Sequence, residues 1–230
     1  MAAPDLNGGR EGFRFEPERL RMVEELSWRG IRDPRVLAAM RWLPRHLFVD
    51  ADLESRAYED TPLPTAAGQT ISQPWMVARM LELAEVMPDD RVLEVGTGSG
   101  YQTALLATLA ADTWSIERVP ELLAAAEARL RYLGLARVRL VLGDGSLGWP
   151  EGAPYDRVLV TAAAPRVPQA LMAQVGERGL LVIPVGGPRL QHLEVWRRQP
   201  DGSWAHRRFG ECRFVPLLGR DAWPEPPDAN

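Results

Sequence analysis

Lysine is absent from this 230-residue chain, so all 27 basic side chains are arginine. That removes a phosphate-loop lysine, a Schiff-base lysine and a pyridoxal anchor together. Genome composition or heat adaptation accounts for the arginine usage itself. Cysteine occurs once, as Cys212, and the three histidines, His46, His192 and His206, have no metal-ligand spacing. Neither a disulfide framework nor a metal site is expected, and Cys212 reads as a buried or half-buried thiol in a reducing compartment. No apolar run approaches the ~20 residues of a membrane span. The opening MAAPDLNGGREGF lacks the apolar centre of a secretory signal, so a cytoplasmic protein with no membrane partner is expected. A basic stripe is missing too: a net charge of -4 and a pI near 5.5 leave no electrostatic footprint for nucleic acid.

What is present is a hydrophobic share of 46%, enough for one α/β domain with a full core. Composition marks residues 1–15 and 223–230 as flexible tails around a domain at 16–222, divided into a helical annex at 16–66 and a catalytic α/β core at 67–222. In the annex, EPERLRMVEELSWRG sets Leu20, Val23 and Ser27 on one helical face with Leu26 beside it, and Gly30 closes the helix. Asp33-Pro34 restarts a helix as N-cap and first residue, carrying Val36, Leu37 and Met40 until Pro44 stops it. A further helix begins near Pro74 with Met76, Met80, Leu83 and Ala84 on its core face. From there the period changes. Strands are expected at Arg91–Val95, Thr113–Ile116, Val138–Leu142, Arg157–Thr161 and Leu180–Pro184, with helices between successive members, which implies a doubly wound, mostly parallel sheet. Three short strand candidates, Leu193–Arg197, Trp204–Phe209 and Arg213–Leu217, follow as an antiparallel edge, the first two joined by the turn signal Asp201-Gly202.

The first strand runs into Gly96-Thr97-Gly98-Ser99-Gly100 and then into the helix YQTALLATLAA. Glycines permit the sharp turn and close approach of a ligand to the backbone, and the helix N-terminus offers free N–H groups. Tyr101 stands where a dinucleotide fingerprint needs its last glycine, so the turn suits a nucleoside better than NAD. Glu117 ends the second strand, where ribose hydroxyls are gripped, and Asp144 and Gly145 follow the third, where a nucleoside's ribose or base would be gripped. Glu94, a carboxylate inside an apolar strand, either contacts the cofactor or caps nearby backbone N–H groups.

This E-x-G-x-G-x-G pattern, with its two acidic strand ends, resembles the class I methyltransferases that bind S-adenosylmethionine, a Rossmann-like fold. The stretches LPRHLFV, AYEDTPLP, GQTISQP, VLEVGTGSGYQTA, GDG, YDRVLVTAAAP and RFVPL resemble, more narrowly, the protein-L-isoaspartate O-methyltransferases, over roughly residues 17–218. GQTISQP is the most specific piece, since generic methyltransferases lack it. The resemblance implies a protein carboxyl O-methyltransferase that esterifies the free carboxylate of L-isoaspartyl residues in damaged proteins and releases S-adenosyl-L-homocysteine. It implies a catalytic role for Ser72, whose alternative is capping the helix that follows. Gln69, Thr70 and Ile71, the turn from Gly96 through Thr97 and Gly98 to Gly100, Glu117, Asp144 and Gly145 are implied at the cofactor. Val215, Pro216 and Leu217 are implied at the substrate, with sheet-edge packing as their alternative. A monomer is expected, and a small-molecule carboxylate is the alternative acceptor.

The pair Asn7-Gly8 has a consequence of its own. Glycine leaves the following backbone N–H unhindered to attack the asparagine side chain, so Asn7 is expected to yield isoaspartate and make the enzyme its own substrate. After ageing at warm, mildly alkaline pH and methyl labelling, peptide mapping is expected to find the ester at residue 7. Label confined to Asp144 or Asp201, or none despite isoaspartate at residue 7, rejects self-methylation.

Overall fold

The computed structural model describes residues 13–224; Asn7 and most of the two expected tails lie outside the described residues. Seven strands form the main sheet: β3 (Arg91–Val95), β4 (Asp112–Glu117), β5 (Arg139–Leu142), β6 (Tyr155–Val160), β7 (Val175–Gly186), β8 (Gln191–Arg198) and β9 (Trp204–Cys212). Their order is β5-β4-β3-β6-β7-β8-β9, parallel from β5 to β7 and antiparallel beyond. Chain order therefore reverses between β3 and β6, and such a switch point leaves a crevice at the carboxyl ends of the strands.

Both faces of the central strands are covered, which is why they read as continuous apolar runs. Val92, Leu159, Leu180 and Val182 pack in one core with α3 (Pro74–Ala84), α4 (Tyr101–Leu109) and the annex helices α1 (Glu16–Trp28) and α2 (Pro34–Trp42). Leu93, Val95, Val158, Val160, Leu181 and Ile183 face a second core with α6 (Gln169–Gln174). Proline occupies the first position of α2, α3 and α5 (Pro120–Tyr132), where its missing N–H costs nothing. Asp33 caps α2 as expected, accepting the Arg35 N–H at 2.8 Å, and Gly202 makes the β8–β9 turn with φ +83°.

Several expectations are corrected. The buried face of α1 is Arg19, Met22 and Leu26, while Leu20, Val23 and Ser27 are only half-buried. An apolar count passes over an arginine whose stem packs inside. In α3, Val77, Ala78 and Leu81 join Met80 and Ala84 inside, whereas Met76 and Leu83 are half-buried. No α-helix links β5 to β6; two short 3-10 turns, Gly145–Leu147 and Pro150–Gly152, make the crossover. Arg213–Leu217 is not a sheet strand either. Pro216 has no N–H to donate, and the segment instead straps onto Ala163 through Ala163 N–H to Val215 O (2.7 Å) and Leu217 N–H to Ala163 O (2.8 Å). Arg14 pairs with Glu54 at 2.7 Å, Phe15 packs 5.2 Å from the His46 ring, and Trp223 N–H donates to Leu217 O at 3.0 Å. No helix among the described residues is long and apolar enough to cross a membrane.

Leu81 is fully buried between α3 and the sheet, whereas Leu142 at the β5 edge is 54% exposed. Leu81→Ala is expected to cost about 3 kcal/mol through lost burial and a residual cavity, and Leu142→Ala about 0.5 kcal/mol or less, in denaturant unfolding. Equal losses would place the core elsewhere.

Candidate active site

At the end of β3 the chain turns through Gly96, Gly98 and Gly100 with φ of +98°, +53° and +87°, a region L side chains rarely adopt. A Cβ on Gly96 would stand 2.3 Å from Thr161 Oγ1, and one on Gly100 would stand 3.1 Å from the Ala126 Cβ in α5. The Thr161 hydroxyl donates to the turn, with Gly96 O at 2.8 Å and Val95 O at 3.0 Å. Glycine at 96 thus lets the turn press against the end of β6.

Glu117 ends β4 beside this turn. Its carboxylate accepts the Gly98 N–H at 2.9 Å on one oxygen, and the Arg118 and Val119 N–H groups at 2.8 and 3.0 Å on the other. One side chain therefore fixes the turn and lines the cleft. Glu94 does neither. It is fully buried below the turn, accepting from the Ser115 hydroxyl at 2.7 Å and from the Thr103 hydroxyl, while its other oxygen has no partner. The expected direct cofactor contact is corrected accordingly, as is the capping of backbone N–H groups, because its position on β3 faces α4. Thr97 joins the same network through Ser115 Oγ at 2.7 Å. Burial pushes the Glu94 carboxyl up to about 7, against the pull of the two hydroxyls.

After β5 the two expected residues part. Gly145 lines the cleft, and a Cβ there would meet Val95 Cγ1 at 2.5 Å. The Asp144 carboxylate does not line it: one oxygen accepts the Ser146 N–H and hydroxyl at 2.9 and 2.7 Å, the other the Arg220 N–H at 2.9 Å. Asp144 thereby pins the C-terminal strap beside Gly145.

The GQTISQP loop is built by a small hairpin the sequence did not announce. Strands β1 (Leu63–Pro64) and β2 (Thr70–Ile71) pair antiparallel, Leu63 opposite Ile71, laying AYEDTPLP beside the loop. Ser72 does not cap α3. The N-cap is Gln73, and the Trp75 N–H is taken by Asp60 at 2.8 Å; Asp60 also accepts the Gln73 amide at 3.2 Å and pairs with Arg29. Arg45, fully buried, donates from Nε to Ala57 O at 2.7 Å and from Nη2 to Ser72 O at 2.8 Å. Neither Asp60 nor Arg45 carried a role in the sequence reading, although both lie within its quoted stretches.

One cleft of about 250 Å³ collects these parts. Gln69, Thr70, Ile71 and Ser72 line one side, Gly96, Thr97, Gly98 and Glu117 the floor, and Gly145 with Val215, Pro216 and Leu217 the other side. Glu94, Gly100 and Asp144 stay outside the lining; Gly100 instead packs on α5. Tyr101, Gln102 and Thr161 line the cleft and were not foreseen as lining. In the strap, Val215 O, Leu217 N–H and Leu217 O are bonded to the fold. Among the described residues no cluster of three or more His, Cys, Asp or Glu could hold a metal.

The residues present fit a nucleoside carrying an amino-acid tail. Backbone without side chains lines the cleft at Gly96, Gly98 and Gly145, with open space beside Gly98, and a carboxylate ends β4. Together with the sheet order, this is the architecture of a class I methyltransferase.

Residues 18–222 match the profile of the family described as protein-L-isoaspartate(D-aspartate) O-methyltransferase. The chain belongs to that family. It is 51% identical over 208 residues to a protein-L-isoaspartate O-methyltransferase of Methanoregula boonei, covering 90% of this chain and 95% of the relative. To that of Halorhodospira halophila it is 52% identical over 215 residues, covering 93% and 97%. A solved protein-L-isoaspartate O-methyltransferase superposes with a TM-score of 0.79 at 27% identity, over 89% of this chain and 67% of the other. A Plasmodium falciparum chain assigned to the same activity, solved with S-adenosyl-L-homocysteine, shares the fold with a TM-score of 0.76 at 24% identity, over 87% and 98%.

A carboxyl whose pKa rises on folding holds its proton more tightly in the folded state, so stability falls as pH rises from 4.5 toward about 7 and then levels. The loss over that interval is about 3 kcal/mol. Glu94→Gln, neutral throughout, lacks this slope, and its melting temperature is expected to gain on the wild type between about pH 5 and about pH 8. Parallel melting curves for the two proteins reject the buried-carboxylate reading.

Proposed function

We propose that this chain transfers a methyl group from S-adenosylmethionine to the free α-carboxylate of L-isoaspartyl residues in damaged proteins, starting their repair through a succinimide. The observation that carries this reading is that the GQTISQP loop lines the same cleft as the glycine turn. When bound, S-adenosylmethionine supplies a methyl group on a positively charged sulfur.

The chain's own residues divide the remaining work. A carboxylate of pKa ~4 is already ionised at neutral pH, so the acceptor needs no general base, and the cleft has no histidine. What remains is alignment and dehydration of the acceptor, with reacting atoms about 3 Å apart. The Ser72 hydroxyl lines the cleft, takes part in no hydrogen bond among the described residues, and orients the acceptor carboxylate. Glu117 has about one lone-pair site left beyond its three backbone partners and accepts from a ribose hydroxyl with it. The bared backbone of the turn receives the amino-acid end, and Gly145 leaves room for the base. Gln69, Thr70 and Ile71 wall the cofactor, and Val215 to Leu217 border the peptide. On composition, the enzyme is cytoplasmic and acts on protein rather than nucleic acid.

A methyl-transfer assay comparing an L-isoaspartyl peptide with its L-aspartyl twin tests the reading, with turnover expected on the first alone. Turnover on small carboxylic acids but not on the peptide would reject it. Glu117→Ala is expected to weaken S-adenosylmethionine binding by about 1.5–3 kcal/mol in calorimetry, the worth of a charge-assisted hydrogen bond. Ser72→Ala is expected to lower turnover while leaving cofactor affinity near that of the wild type. Unchanged affinity in Glu117→Ala removes it from the site, and full activity in Ser72→Ala removes the hydroxyl from catalysis.

A further inference from the structure

The annex supplies two charged side chains to the chain on either side of Ser72. Arg45 comes from a 3-10 turn, Arg45–Phe48, and reaches across to the Ser72 carbonyl while its Nε holds Ala57 O. Asp60, at the other end of the annex, takes the Trp75 N–H and the Gln73 side chain. Ser72 is thus held at its own carbonyl by Arg45 and is followed by a helix start held by the Asp60 carboxylate.

Arg45 is an unusual choice for a merely structural tie. Its guanidinium is fully buried, its hydrogen bonds among the described residues go to two neutral carbonyls, and Nη1 has no hydrogen-bond partner there. Among the described residues no carboxylate pairs with it directly, and the acidic group whose field reaches it, Asp60, is itself paired with Arg29. Burying a cation this way is costly, and an apolar residue of similar volume would fill the space at lower cost. The fork does what no apolar residue can: it joins two carbonyls 15 residues apart, Ala57 and Ser72. Its plane also lies 4.8 Å from the Tyr101 ring, which lines the cleft at the start of α4.

We propose that Arg45 and Asp60 are positioning residues for methyl transfer, clamping the backbone around Ser72 so that its hydroxyl is presented to the acceptor carboxylate. This rests on the reading of Ser72 given above. Neither residue lines the cleft. Both act through Ser72, so their loss lowers turnover and spares the cofactor, whose wall at Gly96 to Gly98 and Glu117 is built by other elements.

Arg45→Lys keeps the charge but offers a compact ammonium in place of a planar fork, and it cannot hold both carbonyls in the same geometry. Its kcat on an L-isoaspartyl peptide is expected to fall about tenfold or more, with the Kd for S-adenosylmethionine within about twofold of wild type. In a Ser72→Ala background the same substitution is expected to change kcat by less than about threefold, because the group it positions is already gone. Full additivity of the two substitutions, or a matching loss of cofactor affinity, overturns the clamp. Asp60→Asn, which keeps a capping side chain and sits at the surface end of α3, repeats the cycle should Arg45→Lys not fold, with the same non-additivity expected and the same additivity overturning it. If Ser72→Ala alone leaves turnover intact, the fault lies in the reading of Ser72. If Ser72→Ala lowers turnover and the annex substitutions add to it independently, the clamp alone is wrong.

Discussion

The close approach of Gly96 to Thr161 is the contact on which the rest of the site depends. It fastens the turn after β3 to the end of β6, the two strands between which the sheet's chain order reverses. A side chain at 96 would need to share 2.3 Å with a hydroxyl and to adopt a left-handed φ as well. With hydrogen there, the turn can lie low across the strand ends, place the Gly98 N–H on Glu117 and leave the cleft open above. The position of α4 follows, since it begins where the turn ends.

The first turns of α4 lie between two buried ionisable groups from different parts of the chain. Glu94 comes up from β3 to the Thr103 hydroxyl, and Arg45 comes across from the annex over the Tyr101 ring. Each is desolvated, and burial shifts each toward its neutral form: Glu94 up to about 7, Arg45 down to about 10. Hydrocarbon in their places would pack the core, but it would not select one orientation of the hydroxyls and carbonyls they bind. Directional partners give a single geometry where apolar contacts permit several.

The C-terminal strap shows the same economy of parts. Asp144, from the β5 end, bonds Ser146 and Arg220 together, while its neighbour Gly145 opens onto the cleft. Ala163, just past β6, holds Val215 and Leu217. The wall formed by Val215 to Leu217 is therefore anchored at the ends of β5 and β6, the strands that flank β4 and β3, whose ends form the floor of the cleft.

The alternation of apolar runs and helical stretches in the amino-acid order determined the sheet, its parallel character and its antiparallel edge, because strands buried on both faces must be apolar throughout. The glycine spacing at 96, 98 and 100 and the carboxylate at 117 were legible for the same kind of reason: backbone conformation and strand-end chemistry are local. What lay beyond local reading was every role set by a partner distant in sequence. Arg19 faces inward toward Tyr58, Glu94 is tied off by hydroxyls from α4 and β4, and Asp144 is bonded to residue 220. Asp60, not Ser72, caps α3, and Arg45 reaches Ser72 across 27 positions. A side chain's type limits what it can bond, but which of those bonds forms depends on what the folded chain brings within about 3 Å, and that only the tertiary structure decided.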